Sequence, residues 1–235
     1  MKNISYAFIP IGFENISYYS TTDDISQRKL LLLHGAWQSD KKRLIGISKW
    51  FSERGIESVG FDFSGHGEST KNTVWSIRKR VIEAWYIIEK CFLPEQDIFI
   101  CAFSMSGQVV YELLREFGSQ IQKCFLCAPA LYHRDALDTP FSEEFSRILR
   151  MPESYKNHGV NDVLSEYQGD IVIITGTEDS VIPKDVPDII IKAHTGWKNK
   201  KIILQNAPHM LAGWTMESDE NMEKLCRSIF DEIKK

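Results

Sequence analysis

The sequence predicts an α/β fold, a mainly parallel central sheet covered by helices on both faces. Three observations carry that expectation. Short, wholly apolar runs such as 30–33 and 98–102 have the length and character of strands buried on both sides. Other segments place apolar residues at helical spacing, as Leu44, Ile47, Trp50 and Phe51 do. The two kinds of segment alternate along most of the chain, which is the pattern of βαβ units and hence of parallel strands.

Taken in order, residues 4–20 are strand-like with an interruption at 10–12, and Ile11, Phe13, Ile16 and Tyr18 suggest an antiparallel hairpin. The strand at 30–33 ends in His34-Gly35-Ala36-Trp37, and a helix follows over about 40–53 with Gly55 as its stop. The next strand, 57–62, empties into a glycine-rich loop at 63–69, and an amphipathic segment spans 74–92. Strand 98–102 leads to a helix marked by Val109, Val110, Leu113, Leu114 and Phe117, with Gly118 as a natural C′ residue. Strand 123–127 closes at Ala128-Pro129. Residues 131–168 then break the rhythm: they are polar, carry Pro140 and Pro152, and hold one amphipathic piece near 141–149. So short an insertion cannot build its own core, so the expectation is a single domain over 1–235 with a cap or lid at 131–168. The rhythm resumes with strand 171–175, a helix around 184–194, strand 201–204 and a last helix at 218–233.

Composition narrows the function classes. The chain has 235 residues, a formal net charge of −4 and 43% hydrophobic content, enough for a substantial core but with no basic field for nucleic acid or an anionic membrane. The first twenty residues contain no continuous apolar stretch with a small-residue cleavage site, and no run reaches the ~18 apolar residues of a membrane helix, so neither a secretory signal nor an anchor is expected. Cys91, Cys101, Cys124, Cys127 and Cys226 mostly sit in apolar segments, which suits a reduced, cytoplasmic protein. Cys124 and Cys127 have C-x-x-C spacing, but inside a strand-like run and without a second ligand pair, so no metal or redox cofactor is expected.

In a parallel sheet ligands bind beyond the carboxyl ends of the strands. Those positions hold His34 to Trp37, Asp62 with its glycine loop, Ser104, then Gly176-Thr177-Glu178-Asp179, and finally Asn206-Ala207-Pro208-His209. Ser104 lies in Ala102-Phe103-Ser104-Met105-Ser106-Gly107, on a tight strand-to-helix turn with small residues two before and two after. Larger side chains there would collide with the adjoining strand and helix, and this is the geometry of a nucleophile elbow. Ala102 and Ser106 replace the usual glycines, and both remain small. An ordinary βα loop with a serine N-cap is the plainer alternative.

A serine, an acid and a histidine thus follow three strands in the order of the α/β-hydrolase arrangement. On the segments HGAW at 34–37, DFSGHGES at 62–69, AFSMSG at 102–107, GTEDSVIP at 176–183 and APHM at 207–210, the sequence resembles the α/β-hydrolase superfamily along nearly its whole length. It is most similar to small serine esterases and to monoacylglycerol-lipase and cinnamoyl-esterase relatives. The resemblance implies Ser104 as nucleophile, His209 as its base and Asp179 as the acid, the spacing Asp-x-x-Ile-Pro from Asp179 to Pro183 matching the family pattern. The amide of Met105, opening the helix, and by resemblance that of Ala36, would form an oxyanion hole.

Alternatives stay open at several positions. Ser106 is a second serine; Glu178, Asp135 and Asp138 are other acids; His34, His66, His133, His158 and His194 are other histidines, the pair in the insertion being expected on solvated surface and His194 at a helix end. Trp37 and Trp214 flank the inferred site and are candidates for packing or for a substrate wall. Tyr132, Phe141, Phe145, Leu149 and Tyr155 could line a lid. The expected function is cofactor-independent cleavage of a small carboxylic ester through a Ser104 acyl-enzyme. Thioester, acyl-transfer or amide chemistry with the same three residues, and a non-catalytic binding protein on the same fold, are the alternatives.

Overall fold

The computed structural model describes residues 4–21, 28–195 and 198–235. Among the described residues, eight strands form one sheet: β1 Ser5–Ile11, β2 Glu14–Ser20, β3 Arg28–Leu33, β4 Glu57–Phe61, β5 Asp97–Phe103, β6 Ile121–Cys127, β7 Asp170–Gly176 and β8 Asn199–Leu204. Their spatial order is β1-β2-β4-β3-β5-β6-β7-β8. The hairpin β1-β2 joins β4 antiparallel, and every pairing from β4 to β8 is parallel. Pro10 is accommodated within β1 because β1 is an edge strand, where a missing N–H breaks no central ladder.

Side-chain alternation along the strands divides the interior into two cores. Leu31, Leu33, Ile98, Ile100, Ala102, Leu126, Ile171 and Ile173 face one side, together with helices α2 Ile77–Cys91, α3 Ser106–Phe117, α5 Asn161–Glu166 and α6 Val186–Ala193. Leu30, Leu32, Phe99, Cys101, Phe103, Phe125, Val172 and Ile174 face the other, under α1 Lys42–Ser52 and α8 Asp219–Ile233. This period of two also separates Cys124 from Cys127, which lie in opposite cores, so the C-x-x-C spacing is not a paired site.

Between β6 and β7 the chain forms a 3₁₀ turn Arg134–Ala136, helix α4 Glu143–Arg150, a second 3₁₀ turn Ser154–Asn157, and α5. Helix α4 buries Phe145 and Ile148, while α5 packs on α3 and α6. Three local features differ from the sequence expectation. Helix α2 starts at Ile77 rather than near 74, because the Ser76 hydroxyl accepts the Lys79 N–H and fixes the first turn. Gly118 ends α3 with a right-handed φ of −56°, so it is not a left-handed cap. A short helix, α7 Leu211–Trp214, follows β8 and has no apolar periodicity long enough to be read in advance.

Candidate active site

The carboxyl ends of β5, β7 and β8 bring three distant residues together. Ser104 leaves β5 at φ 53°, a left-handed conformation that costs a non-glycine residue about 1–3 kcal/mol. The turn is held by bonds on both sides: the Ser104 N–H donates to Cys127 O at 2.9 Å, and Ser104 O accepts from Gly107 N–H at 2.9 Å and Ala130 N–H at 3.1 Å. The hydroxyl lies 2.9 Å from His209 Nε2, and His209 Nδ1 lies 3.0 Å from Asp179 Oδ2. Asp179 is fixed through its other oxygen, which accepts the N–H groups of Val181 and Ile182 at 2.9 and 3.1 Å. With Nδ1–H directed at a carboxylate, Nε2 is left as the acceptor facing the serine.

The loops carrying Asp179 and His209 are stitched to each other. Thr177 N–H donates to Leu204 O, Glu178 N–H to Ala207 O, and Asn206 N–H to Thr177 Oγ1. They approach so closely that a Cβ on Gly176 would lie 1.9 Å from Ala207 O, so a glycine is required there.

Ala36 lines the same lobe as Ser104 and Met105 follows that serine in the chain, and neither amide donates to a protein group among the described residues. Met105 precedes the first turn of α3, which has no side-chain cap, so the helix end directs free N–H groups and a positive dipole here. The Ala36 N–H shares its peptide plane with Gly35 O, which accepts from His34 Nδ1 at 2.7 Å and Arg80 Nη1 at 3.1 Å. Anchoring that carbonyl turns the Ala36 N–H the opposite way. Ser106, two after Ser104, donates from its buried hydroxyl to His34 O at 2.5 Å. The residue that replaces the usual glycine therefore ties the elbow to the neighbouring loop.

Two lobes of one cleft meet at Ala36 and Trp37, which line both. The first, about 310 Å³, includes Ser104, His209, Tyr132, Val181, Ile182 and Met210. The second, about 350 Å³, includes His66, Trp75, Arg80, Met105, Phe141 and Phe145. Trp37 is 90% exposed at the rim with φ 59°. The structure places Trp214 elsewhere, buried beside α1 and α8 in the second core. Of the suggested lid residues, Tyr132 lines the first lobe and Phe141, Phe145 and Leu149 the second. Tyr155 instead donates to the Asp185 carboxylate at 3.0 Å.

The glycine loop at 62–69 lies between two buried cations. Lys41 Nζ donates to Asp62 and Glu68 at 2.6 and 2.7 Å. Burial alone would lower its pKa, but those two hydrogen bonds carry it above the usual lysine value. A Cβ on Gly67, at φ +47°, would fall 2.0 Å from the Asp62 carboxylate, so the loop folds over that acid only with glycine there. Arg80, 3% exposed, instead meets His66 Nε2 at 3.0 Å and Gly35 O. Burial pushes its guanidinium down to about 10. Burial, reinforced by Arg80, also holds His34 well below, and His66 below, the ordinary histidine value, so both rings are neutral partners.

The remaining sequence candidates are engaged elsewhere. Asp138 pairs with Arg78 at 2.9 Å, and Asp135 lies beside His133. His158 is buried, contrary to the solvated surface expected, and accepts the Val160 N–H. His194, at the end of α6, bonds Tyr167 O and Asn199. Sequence reading passed over Arg80, although its signal was present: positions 77, 80, 84, 87 and 88 share a helical face, and Arg80 is a charge within that apolar stripe.

Comparison with known proteins gives the same architecture. The family described as serine aminopeptidase, S33, matches residues 25–171. No curated protein matches the sequence. Mouse alpha/beta hydrolase domain-containing protein 10 superposes with a TM-score of 0.73 at 14% identity, covering 98% of both chains. Est1E from Butyrivibrio proteoclasticus, solved with ferulic acid bound, gives 0.70 at 14% identity over 97% of this chain and 100% of that one. The thioesterase domain from the curacin biosynthetic pathway gives 0.69 at 16% identity, over 95% and 99%. At these identities the likeness shows the α/β-hydrolase fold.

Proposed function

Because the chain belongs to the serine aminopeptidase S33 family of α/β hydrolases, we propose that it is a serine hydrolase cleaving small carboxylic esters through an acyl-enzyme on Ser104. The observation that carries this reading is the unbroken chain from Ser104 Oγ through His209 to Asp179, at 2.9 and 3.0 Å, on a left-handed serine. Attack of Oγ on the ester carbonyl forms a C–O bond while His209 Nε2 takes the hydroxyl proton. Asp179 holds the ring and stabilises the imidazolium without taking the proton. The Ala36 and Met105 N–H groups receive the oxyanion. Collapse breaks the bond to the alcohol, which leaves with the proton from His209, and a water activated by the same ring then releases the acid.

An ester is favoured over an amino-terminal peptide by the cleft walls. No acidic residue lines either lobe among the described residues, so nothing there would hold an α-ammonium group. The segment at 131–168 acts as a cap in this reading, α4 walling the second lobe, and Trp37 forms the rim. The free cysteines suit a cytoplasmic setting. Among the described residues no helix is long and apolar enough to cross a membrane.

The test is labelling with a fluorophosphonate probe, followed by kinetics on matched oxygen esters, thioesters and aminoacyl anilides. Ser104→Ala is expected to abolish labelling and to lower kcat by up to about 10⁶-fold. A Ser104→Ala protein that hydrolyses the esters as wild type does would overturn the mechanism. A preference for anilides over esters would overturn the substrate class.

A further inference from the structure

We propose that the second lobe of the cleft is a carboxylate subsite, in which Arg80 grips a free carboxylate carried on one arm of the ester substrate. The proposal rests on the ester-hydrolase reading for the reacting end of that substrate, and on independent observations for the other end.

Arg80 is a buried cation without an ion pair among the described residues: its hydrogen bonds go to a backbone carbonyl and to the neutral ring of His66. The remaining guanidinium N–H groups have no described protein partner. Glu83, one helical turn on, supports the charge without forming a salt bridge among the described residues: one carboxylate oxygen accepts the Ser64 N–H at 3.0 Å and the other is buried without a hydrogen-bond partner. Holding a charge in such surroundings is costly unless an anion completes it. Anchoring the oxyanion loop does not account for the charge, because His34 Nδ1 already bonds the same Gly35 carbonyl at 2.7 Å.

The surroundings restrict what the anion can be. The guanidinium carbon lies over the Phe63 ring, 4.6 Å from its centre, and 5.8 Å from the centre of the Phe141 ring. A guanidinium is planar and pairs two-pronged with a planar carboxylate, a match that a point-charge cation does not offer. Trp37, Trp75, Phe141, Phe145 and Leu149 make the rest of the lobe apolar. Among its other polar side chains, Ser146 donates to Ser142 O, Ser142 Oγ accepts the Phe145 N–H, and His66 bonds Ser64 O and Arg80. Arg80 is the one cation among the residues that line the lobe, and no acidic residue lines it. Since Ala36 lines both lobes, a carbonyl oxygen held on its N–H leaves one arm of the ester running toward Arg80.

The substrates that fit are half-esters of dicarboxylic acids, or esters of hydroxy acids. The test compares kcat/KM for 4-nitrophenyl half-esters of dicarboxylic acids of graded length with their terminal amides, alongside acetyl esters of hydroxy acids and their amides. At one spacer length wild type is expected to favour the carboxylate by at least about tenfold, the strength of a charged hydrogen bond. That ratio is expected to fall toward one in Arg80→Met and to survive in part in Arg80→Lys, whatever the absolute rates become. Calorimetric titration of Ser104→Ala protein with the best half-ester and its amide reads the same preference without turnover, and needs no change at Arg80. Absence of a carboxylate preference in both kinetics and titration would overturn the proposal, as would a preference that Arg80→Met leaves intact. Loss of the nucleophile assignment reads differently: Ser104→Ala would then hydrolyse every ester as wild type does, while the carboxylate-to-amide ratio of kcat/KM, and its loss in Arg80→Met, still reports on Arg80.

Discussion

Lys41 and Arg80 are both buried cations that contact the glycine loop at 62–69, yet their surroundings are opposite. Lys41 is matched by two carboxylates, Asp62 and Glu68, and the loop closes over that cluster through Gly67. Arg80 hydrogen-bonds only neutral groups, with Glu83 on the same helix as the carboxylate that supports its charge, and borders a cavity. A charge whose partners are all supplied by the chain is part of the framework. A charge left short of an anion is suited to receive one from a ligand, and it lies in the same cleft as Ser104.

The largest expected effect breaks the matched side. Lys41→Met leaves the fully buried Asp62 without its counter-ion and should lower unfolding stability by ~3–5 kcal/mol in denaturant titrations. Arg80→Met removes a charge with neutral partners and should cost less than about 2 kcal/mol. Equal losses from the two variants would erase the distinction.

The next effect is the pH dependence of stability, which should divide along the same line. His34 and His66 have depressed pKa values in the folded protein, so the unfolded chain binds their protons first as pH falls below the ordinary value of 6.5. Stability is full above that value and should decline below it, by up to ~1.4 kcal/mol per pH unit for each ring. Lys41 is raised, so its contribution is complete below the ordinary lysine value of 10.5 and is lost as pH climbs through its higher folded value. Chemical denaturation across pH should therefore show an acid limb that His34→Gln flattens and an alkaline limb that Lys41→Met flattens.

The smallest effect concerns the link between the Ser104 turn and the 34–37 loop on the Arg80 side. Ser106→Gly restores the commoner elbow residue but deletes the hydrogen bond to His34 O. It should cost about 1 kcal/mol of stability. Because His34 and Arg80 still hold the Gly35 carbonyl, kcat should fall only a few-fold with KM nearly unchanged. A large rise in KM would instead mean that Ser106 shapes the substrate lobes.

Much of the fold was legible because buried parallel strands must be apolar on both faces and must be joined by amphipathic crossovers. The runs at 30–33, 98–102 and 171–175 all lie within observed strands, and the strand-end residues fall on one edge of the sheet. Ser104 and Asp179 could be picked out because each follows such a run, and His209 because it comes soon after the last strand; the structure does bring their side chains together. Trp214 could not be placed, since an aromatic residue near a loop packs equally well inward, and here the short α7 turns it into the core. Arg80 was passed over because a charge in an amphipathic helix ordinarily faces water. His158 was misread for the same reason, a polar residue in a polar segment being assigned to the surface.

By itself, then, the amino-acid order determined which segments become strands and helices and which residues stand at the strand ends, because hydrophobic periodicity and small-residue turns act over a few neighbouring positions. The tertiary structure alone decided which of two buried cations is neutralised. That outcome depends on whether residues far apart in sequence, Lys41 with Asp62 and Glu68, or Arg80 with Gly35 and His66, arrive with carboxylates or with neutral acceptors. Electrostatic balance inside a protein is set by through-space neighbours at hydrogen-bond distance, and no local pattern along the chain encodes them.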